Sequence, residues 1–312
     1  MTNLVPVMDN KAAITQGLDE LTRRFIASLD VKPKSKDTYS KALKRFFSFM
    51  EEEQITNPTR EDILHYKRYL AANYTACTVS SYLTAVKAFF TYLEGLKQYP
   101  NVAAGIKGAK HQKGFRKASL TIEQAKNTLT AIDRSTLEGK RNFALVNLLL
   151  RTGLRTIEVA RANIEDIRQE GGEALLYIQG KGRDSKDDFV LLTEETLRPI
   201  REYLKERGET DETKPLFASH SNRNNGGRLT TRSISRITKE TLKDAGIDDR
   251  KITAHSLRHT AVTFSLLGGA TIQEAQGLAR HANINTTLIY AHNIDRIGKA
   301  PERKIDALLA GL

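Results

Sequence analysis

The chain has 312 residues, of which 39% are hydrophobic and 28% are charged, so its composition is that of a globular protein with about two domains. Lys and Arg number 49 against 37 Asp and Glu, and the formal net charge of +12 indicates an acidic partner, with nucleic acid as the first expectation. The single cysteine, Cys77, excludes an internal disulfide framework and a cysteine-rich metal site. Because the sequence has neither a secretory signal pattern nor an apolar run of about 18 residues, we expect a cytoplasmic protein with no membrane partner.

Helical periodicity dominates the N-terminal third of the chain. A weak helical pattern covers residues 18–29, and three stronger ones follow. Their apolar positions are Tyr39, Leu43, Phe46, Phe47 and Met50, then Ile63, Tyr66 and Leu70 after a capping signal at Thr59, then Leu83, Val86, Phe89, Phe90 and Leu93. These patterns predict a four-helix domain over residues 18–100, after an N-terminal extension at residues 1–17. The aromatic side chains are expected to form its core.

A basic segment separates the two predicted domains. Residues 101–117 contain five basic residues and no acidic residue, and they show little apolar periodicity. They predict an interdomain linker whose charge suits a phosphate backbone, although charge alone fits a solvated tether equally well. The DNA contacts expected from it are Lys107, Lys110, Lys113, Arg116 and Lys117.

The C-terminal part combines helices with a short hairpin. The nearly all-apolar residues 143–150 predict a buried helix that ends at Gly153. Two strand-like runs, 174–179 and 188–192, flank a polar tip that contains Lys181 and Arg183, so we expect a β-hairpin there. Further helices are predicted at 194–207, 231–245 and 256–267, with a short one after Thr271. The predicted fold class is therefore mainly α with a small β-hairpin or sheet (α+β), and its second domain covers residues 118–290.

Histidines are concentrated near the C-terminus, where His255, His259, His281 and His292 lie within 38 residues. His255 and His259 have the spacing of a two-histidine zinc motif, but Ser256 stands where that motif needs Glu, and no third ligand is evident. The glycine pattern of a nucleotide-phosphate loop is also incomplete around Lys181. We therefore predict no metal site and no cofactor.

Arginines combined with these histidines suggest chemistry on a phosphodiester. Two guanidinium groups can bind the two non-bridging oxygens and stay charged at any relevant pH, while imidazoles move protons near neutrality. Arg258 is one candidate. Arg155 is the second, because it follows a helix stop and has Glu158 three residues later to orient it.

Four motifs resemble those of the tyrosine recombinases, or phage integrases. TGLR followed by Glu158 matches the first active-site arginine, IQGKG matches the hairpin lysine, and HSLRHT matches the His-x-x-Arg box. RHANINTTLIYAH matches the closing box, in which His281 lies nine residues before Tyr290. All four motifs occur in family order, and the resemblance covers nearly the whole chain. Within the family, the chain resembles the simple two-domain members, which are the Xer-like recombinases and the mobile-element integrases.

The resemblance implies a site-specific DNA recombinase that cleaves and rejoins DNA through a 3′-phosphotyrosyl intermediate without metal or ATP. It implies that Tyr290 is the nucleophile and that Arg155 and Arg258 bind the scissile phosphate. The remaining implied roles are protonation of the leaving 5′-oxygen by Lys181, proton transfer at the nucleophile by His255, a donor to a phosphate oxygen at His281, and support from Glu158 and His259.

The resemblance also implies an architecture. A helical, SAM-like core-binding domain and a catalytic domain would form a C-shaped clamp on double-stranded DNA, contacted also by Arg183. Strand exchange implies a homotetramer, a dimer of dimers on paired sites, in which a paralogous recombinase or accessory protein can also take part. The tail at residues 291–312 would dock on a neighbouring protomer, or pack on its own domain.

The sequence departs from the family pattern at three places and leaves two other functions open. Ala279 and Arg280 stand where the family has Leu-Gly, Ala254 replaces Pro, and Ile157 takes a small polar position. Arginine in place of glycine at position 280 allows less backbone freedom, which alters the local loop shape, and it adds a charge near the phosphate. None of the three changes removes a reactive group. A type IB topoisomerase and a non-enzymatic, sequence-specific DNA-binding regulator are the alternative functions. Within the recombinase interpretation, integration or excision of a mobile element and resolution of DNA multimers both remain open.

Overall fold

The computed structural model describes residues 11–110, 119–180, 183–298 and 301–310, with side chains described for all of these except 11–18 and 292–304. The chain folds as two compact units, residues 1–113 and 114–312. The division lies inside the basic segment 101–117, whose role as a linker stays a prediction.

Unit 1 (residues 1–113) contains four helices: α1 (Lys11–Ser28), α2 (Pro33–Glu52), α3 (Arg60–Asn73) and α4 (Ala76–Gly95). Helix α1 begins at Lys11, earlier than the predicted start at residue 18. The composition of residues 11–17 favours a helix, but they carry no apolar stripe, so hydrophobic periodicity does not reveal this first part of it. Helix α3 begins at the predicted cap, where Asp62 accepts a 2.7 Å hydrogen bond from the Thr59 backbone nitrogen. The aromatic core is confirmed by six rings no more than 2% exposed: Phe25, Phe46, Phe49, Tyr66, Phe89 and Phe90.

The first half of the predicted linker packs on unit 1. Ala103 and Ile106 are buried in its core, and the Lys67 amine on α3 donates to the Lys107 carbonyl oxygen at 2.8 Å. Residues 101–110 are therefore not a solvated tether. The side chains of Lys107 and Lys110 are exposed, while Lys113, Arg116 and Lys117 lie outside the described residues.

Unit 2 (residues 114–312) is mainly helical with one small sheet, as predicted. Helix α6 lies at its centre and contacts α8 and α10. The helices are α5 (Ile122–Thr130), α6 (Leu137–Thr152), α7 (Thr156–Arg161), α8 (Glu194–Arg207), α9 (Thr231–Asp244), α10 (Ala254–Leu267), α11 (Ile272–Ala279), α12 (Asn285–Gly298) and α13 (Pro301–Leu309). No helix in the described part of the chain is long and apolar enough to cross a membrane.

The sheet has three antiparallel strands in the order β1 (Ile167–Glu170), β2 (Glu173–Ile178) and β3 (Asp188–Leu191). The predicted hairpin corresponds to β2 and β3, which pair with Ile178 opposite Asp188. Strand β1 was not predicted, because Ile167 is its only apolar residue and its last three residues are exposed. It forms an edge of the sheet by backbone pairing with β2, and such pairing leaves no apolar pattern in the sequence.

Helix α12 crosses the boundary expected between the catalytic domain and the tail at residues 290 and 291. It continues to Gly298, so Tyr290 lies within the helix and not at its C-terminal end. On α13, Ile305, Leu308 and Leu309 are all exposed.

Candidate active site

A close turn at Gly153 brings the TGLR motif against helix α10. Gly153 ends α6 with φ 61°, and a Cβ atom there would lie 3.3 Å from Ala261 Cβ and 3.9 Å from Arg258 Cγ. Glycine suits both the positive φ and this approach. The turn therefore places Arg155, two residues later, beside the α10 helix that carries Arg258.

Glu158 holds Arg155 from inside the protein. Its carboxylate is 1% exposed and accepts 2.7 Å hydrogen bonds from Arg155 Nη1 and from the Arg155 backbone nitrogen. The Arg155 side chain remains 29% exposed. One face of this guanidinium is thus fixed by a buried carboxylate, in keeping with the supporting role predicted for Glu158.

Arg258 is a buried cation, 2% exposed. Its Nη1 donates to the Gly153 carbonyl oxygen at 2.6 Å, and its Nη2 donates to the Ala279 carbonyl oxygen. Burial, followed by the charges of Arg155 and Arg280, lowers the pKa of Arg258 to about 10. The side chain is still protonated at neutral pH, so it can present positive charge to a phosphate.

Tyr290 lies in α12 and is 3% exposed. It packs in a small apolar cluster with Val262 on α10 and with Ala275 and Ala279 on α11. Burial raises the pKa of the Tyr290 phenol, and the charge of Arg258 acts in the opposite direction. The candidate nucleophile is therefore a buried, protonated phenol close to a candidate phosphate-binding cation.

Two motif histidines lie against this phenol, and a third lies beside one of them. The Tyr290 hydroxyl forms a hydrogen bond with Nδ1 of His259, which is 3% exposed. The His255 ring lies 4.5 Å from the His259 ring, centroid to centroid, and the His281 ring stacks 6.3 Å from that of Tyr290. Nδ1 of His281 also forms a 3.0 Å hydrogen bond with Thr287 Oγ1. His259, predicted only as a supporting residue, thus contacts the hydroxyl of the candidate nucleophile.

The hairpin lysine, Lys181, lies outside the described residues. The residue before it, Gly180, is held by Arg161, which donates a 3.2 Å hydrogen bond to the Gly180 carbonyl oxygen. Lys186 contacts both oxygens of the buried Asp166 at 2.7 Å. Arg183, a predicted DNA contact, is exposed and forms a 2.9 Å ion pair with Asp187.

Sequence reasoning did not assign Arg280 to the site. Its Nη2 lies 3.0 Å from Oε2 of Glu158, so the Glu158 carboxylate lies between two guanidinium groups. The sequence signal is the departure from glycine at this position, which indicates an altered loop and an added charge near the phosphate but not a contact with Glu158.

A cavity of 480 Å³ opens against this cluster, and its walls include Arg155, Arg183, Arg280 and His281. Guanidinium and imidazole groups converging on an open cleft fit a phosphodiester. Among the described residues, no group of three or more His, Cys, Asp or Glu side chains is placed to hold a metal ion.

Known structures share this fold. The chain is similar to the XerH site-specific recombinase bound to palindromic difH substrate in a post-cleavage complex, with a TM-score of 0.73 and 22% identity over 94% of this chain and 86% of that one. It is also similar to a lambda integrase in a tetramer bound to a Holliday junction, with a TM-score of 0.68 and 16% identity over 90% of this chain and 87% of that one.

Sequence comparisons identify the family. Residues 118–296 match the model of the phage integrase family, and residues 18–98 match the model of its N-terminal SAM-like domain. The tyrosine recombinase XerC of Pelobacter propionicus is 31% identical over 90% of this chain and 94% of its own length. The chain therefore belongs to the phage integrase family, the tyrosine recombinases.

Proposed function

We propose that this chain is a site-specific DNA recombinase that cleaves one strand with Tyr290, holds it as a 3′-phosphotyrosyl ester and rejoins it to a new 5′-hydroxyl. The observation that carries the proposal is that Arg155, at the start of α7, Arg258 on α10 and Tyr290 on α12 lie close together, with Arg155 at the wall of an open cleft. Membership of the tyrosine recombinase family supports the same reaction.

In the cleavage step, Tyr290 Oη bonds to phosphorus and the bond from phosphorus to the 5′-oxygen breaks. Arg155 and Arg258 balance the charge that grows on the non-bridging oxygens, and His281 donates to one of them. Lys181 gives the departing 5′-oxygen its proton. The ester stores the energy of the broken bond, so rejoining needs no ATP, and no step requires a metal.

His259 is the residue best placed to receive the phenolic proton. It contacts the Tyr290 hydroxyl, and the neighbouring His255 ring can relay the proton towards solvent because His255 is exposed. This pair refines the role expected for His255 alone.

The burial of Tyr290 adds a condition. Tyr290 is 3% exposed and Arg258 is 2% exposed, so contact of either side chain with a DNA phosphate requires a local rearrangement, and we infer that α12 shifts before attack. Because α12 extends to Gly298 and α13 follows, capture of the C-terminal segment by a neighbouring protomer would move the helix that carries the nucleophile. The exposed apolar side chains of α13 support such docking.

The partners follow from this reaction. Double-stranded DNA would be bound by both units and contacted by Lys107, Lys110 and Arg183, whose side chains are exposed. Exchange of two duplexes needs a homotetramer, and the lambda integrase tetramer on a Holliday junction supports this assembly. A paralogue or accessory protein can complete it, and cytoplasmic DNA is the expected substrate. Integration or excision of a mobile element and resolution of multimers are the two biological roles proposed.

A topoisomerase and a non-catalytic regulator are not favoured, because the chain is similar to recombinases over nearly its whole length. Covalent capture in the host tests the proposal. Denaturing the cells, isolating protein-linked DNA and sequencing its ends should give adducts at a defined site, absent in Tyr290→Phe. That site would also distinguish a mobile-element end from a chromosomal dimer site. DNA binding without any adduct would favour the regulator.

A further inference from the structure

Arg280 occupies a backbone position that suits glycine. It ends α11 with φ 51° and ψ 48°, in the left-handed region. Among the described residues, only Gln54 and Lys97 share a positive φ without being glycine. The family pattern has glycine here. A long side chain held in this conformation costs free energy, so its presence points to a contact that the side chain makes.

That contact is with the carboxylate behind the first phosphate-binding arginine. Arg280 Nη2 lies 3.0 Å from Glu158 Oε2, and the Arg280 side chain is 9% exposed while that of Glu158 is fully buried. The other oxygen, Oε1, accepts from Arg155 Nη1 at 2.7 Å. Arg280 therefore limits the positions that Glu158, and through it Arg155, can take.

The backbone around Arg280 reaches both phosphate-binding arginines. The Arg280 carbonyl oxygen accepts a 3.4 Å hydrogen bond from Arg155 Nη2, and the Ala279 carbonyl oxygen accepts from Arg258 Nη2. Arg280 Nη2 and Arg258 Nη1 share the Gly153 carbonyl oxygen. The turn before His281 thus connects the two arginines.

Arg280 also changes the charge of the site. With Arg280, the cavity wall carries three arginines against two carboxylates, those of Glu158 and Asp188, whereas glycine at position 280 would leave two arginines against the same two carboxylates. Arg155 and Arg280 both line the 480 Å³ cavity. The excess positive charge lies where a phosphate would enter.

We propose that Arg280 is a positioning residue for DNA cleavage: it fixes Glu158, and through it Arg155, towards the scissile phosphate, and adds positive charge beside the non-bridging oxygens. The inference rests on the proposed recombinase function. It assigns a role to the side chain with which this sequence departs from the family pattern.

Single-turnover cleavage of a nicked duplex that carries the captured site tests this role. Arg280→Gln and Arg280→Gly should each cleave about tenfold more slowly than the unmodified protein, a smaller loss than removal of a direct phosphate contact. DNA affinity should be unchanged. The matched control is Arg198→Gln, which removes an exposed arginine paired with Glu195 at 3.2 Å and should cleave normally. Arg280→Gly also relieves the left-handed backbone, so strain cannot explain its loss.

A methylphosphonate at the scissile position separates positioning from a merely structural role. It removes one negative charge from the phosphate, so the Arg280→Gln defect should shrink to about threefold or less. Combining Arg280→Gln with Glu158→Gln should add little to the loss from Glu158→Gln alone. Normal cleavage by Arg280→Gly, or equal losses on both substrates, would overturn the inference. Absence of an adduct with the unmodified protein would instead overturn the proposed function.

Discussion

The two units bury different kinds of side chain. The core of unit 1 is apolar and aromatic, with rings such as those of Phe46 and Phe89 packed edge to face against their neighbours. In the described part of unit 1, no charged side chain is buried. Unit 2 buries several polar and charged groups, among them Arg141, Glu158, Asp166, Arg258 and His259.

The buried side chains of unit 1 stabilise its fold, whereas some of those in unit 2 also serve the candidate active site. An apolar core stabilises a shape, whereas a buried charge costs free energy unless it is paired, and buried charged groups are concentrated at functional sites. In unit 2 the buried Glu158 lines the cleft, and Arg258 shares the Gly153 carbonyl oxygen with Arg280, which also lines it. Four substitutions test the distinction, two in each unit.

The largest effect should come from the core of unit 1. Phe89→Ala removes a ring that is fully buried, and we expect a loss of about 3–5 kcal/mol in the free energy of unfolding. Denaturant unfolding followed by far-ultraviolet circular dichroism measures it. Phe189→Ala is the control, because Phe189 is 52% exposed and its loss should change stability by less than about 0.5 kcal/mol. Similar losses for the two variants would contradict the assignment of the core.

In unit 2, Arg258→Lys keeps the charge and removes the planar fork. Single-turnover cleavage should slow by about 10²–10³-fold, because a lysine cannot reproduce two oriented donors to one phosphate. Arg198→Lys on the surface of α8 should leave the rate unchanged. A loss of less than about threefold in Arg258→Lys would remove this residue from the phosphate site.

The hairpin provides a third test. Lys181→Ala should slow cleavage about a hundredfold, and sulfur in place of the 5′-bridging oxygen should restore the rate because a thiolate leaves without a proton. Lys186→Ala provides the comparison, since that amine is bound to Asp166 and should not be the proton donor. Rescue of Lys186→Ala, with none for Lys181→Ala, would reverse the assignment.

The smallest effect concerns a polar group in the core of unit 1. The Tyr66 hydroxyl is buried and has no hydrogen-bond partner among the described residues. Tyr66→Phe should therefore raise the free energy of unfolding by about 1 kcal/mol at neutral pH. Thermal unfolding measures it, and a loss of stability would show that the hydroxyl has a partner.

Tyr66 also predicts the direction of a pH effect. Burial raises the pKa of its phenol far above the usual value. The folded state therefore holds this proton more tightly than the unfolded chain does. The free energy of unfolding is unaffected by this group below about pH 10 and falls as the pH rises above that value. Tyr66→Phe should lose less stability at alkaline pH than the unmodified protein, with the exposed Tyr74→Phe as the control.

Helix positions could be predicted from the sequence where apolar spacing reports burial. The helix predicted at 194–207 is α8, Glu194–Arg207. Strand β1 could not be predicted, because its side chains are mostly polar and its stability comes from backbone pairing with β2. The continuation of α12 beyond Tyr290 was also missed.

For the site, the motifs placed Arg155, Arg258 and Tyr290 in one family pattern, and the fold brings them together. The contact between His259 and the Tyr290 hydroxyl depends on how α10 and α12 pack, which no spacing in the sequence reports. The Arg280 contact depends likewise on a left-handed turn that aims its side chain at Glu158. These are tertiary arrangements between distant segments of the chain.

Identification of the residue that carries the DNA would test directly whether Tyr290 is the nucleophile. The protein is incubated with a nicked duplex that prevents rejoining, the covalent complex is digested, and the modified peptide is sequenced by mass spectrometry. We expect a 3′-phosphate of DNA on Tyr290. A 5′-phosphate linkage, or DNA on any other residue, would contradict it.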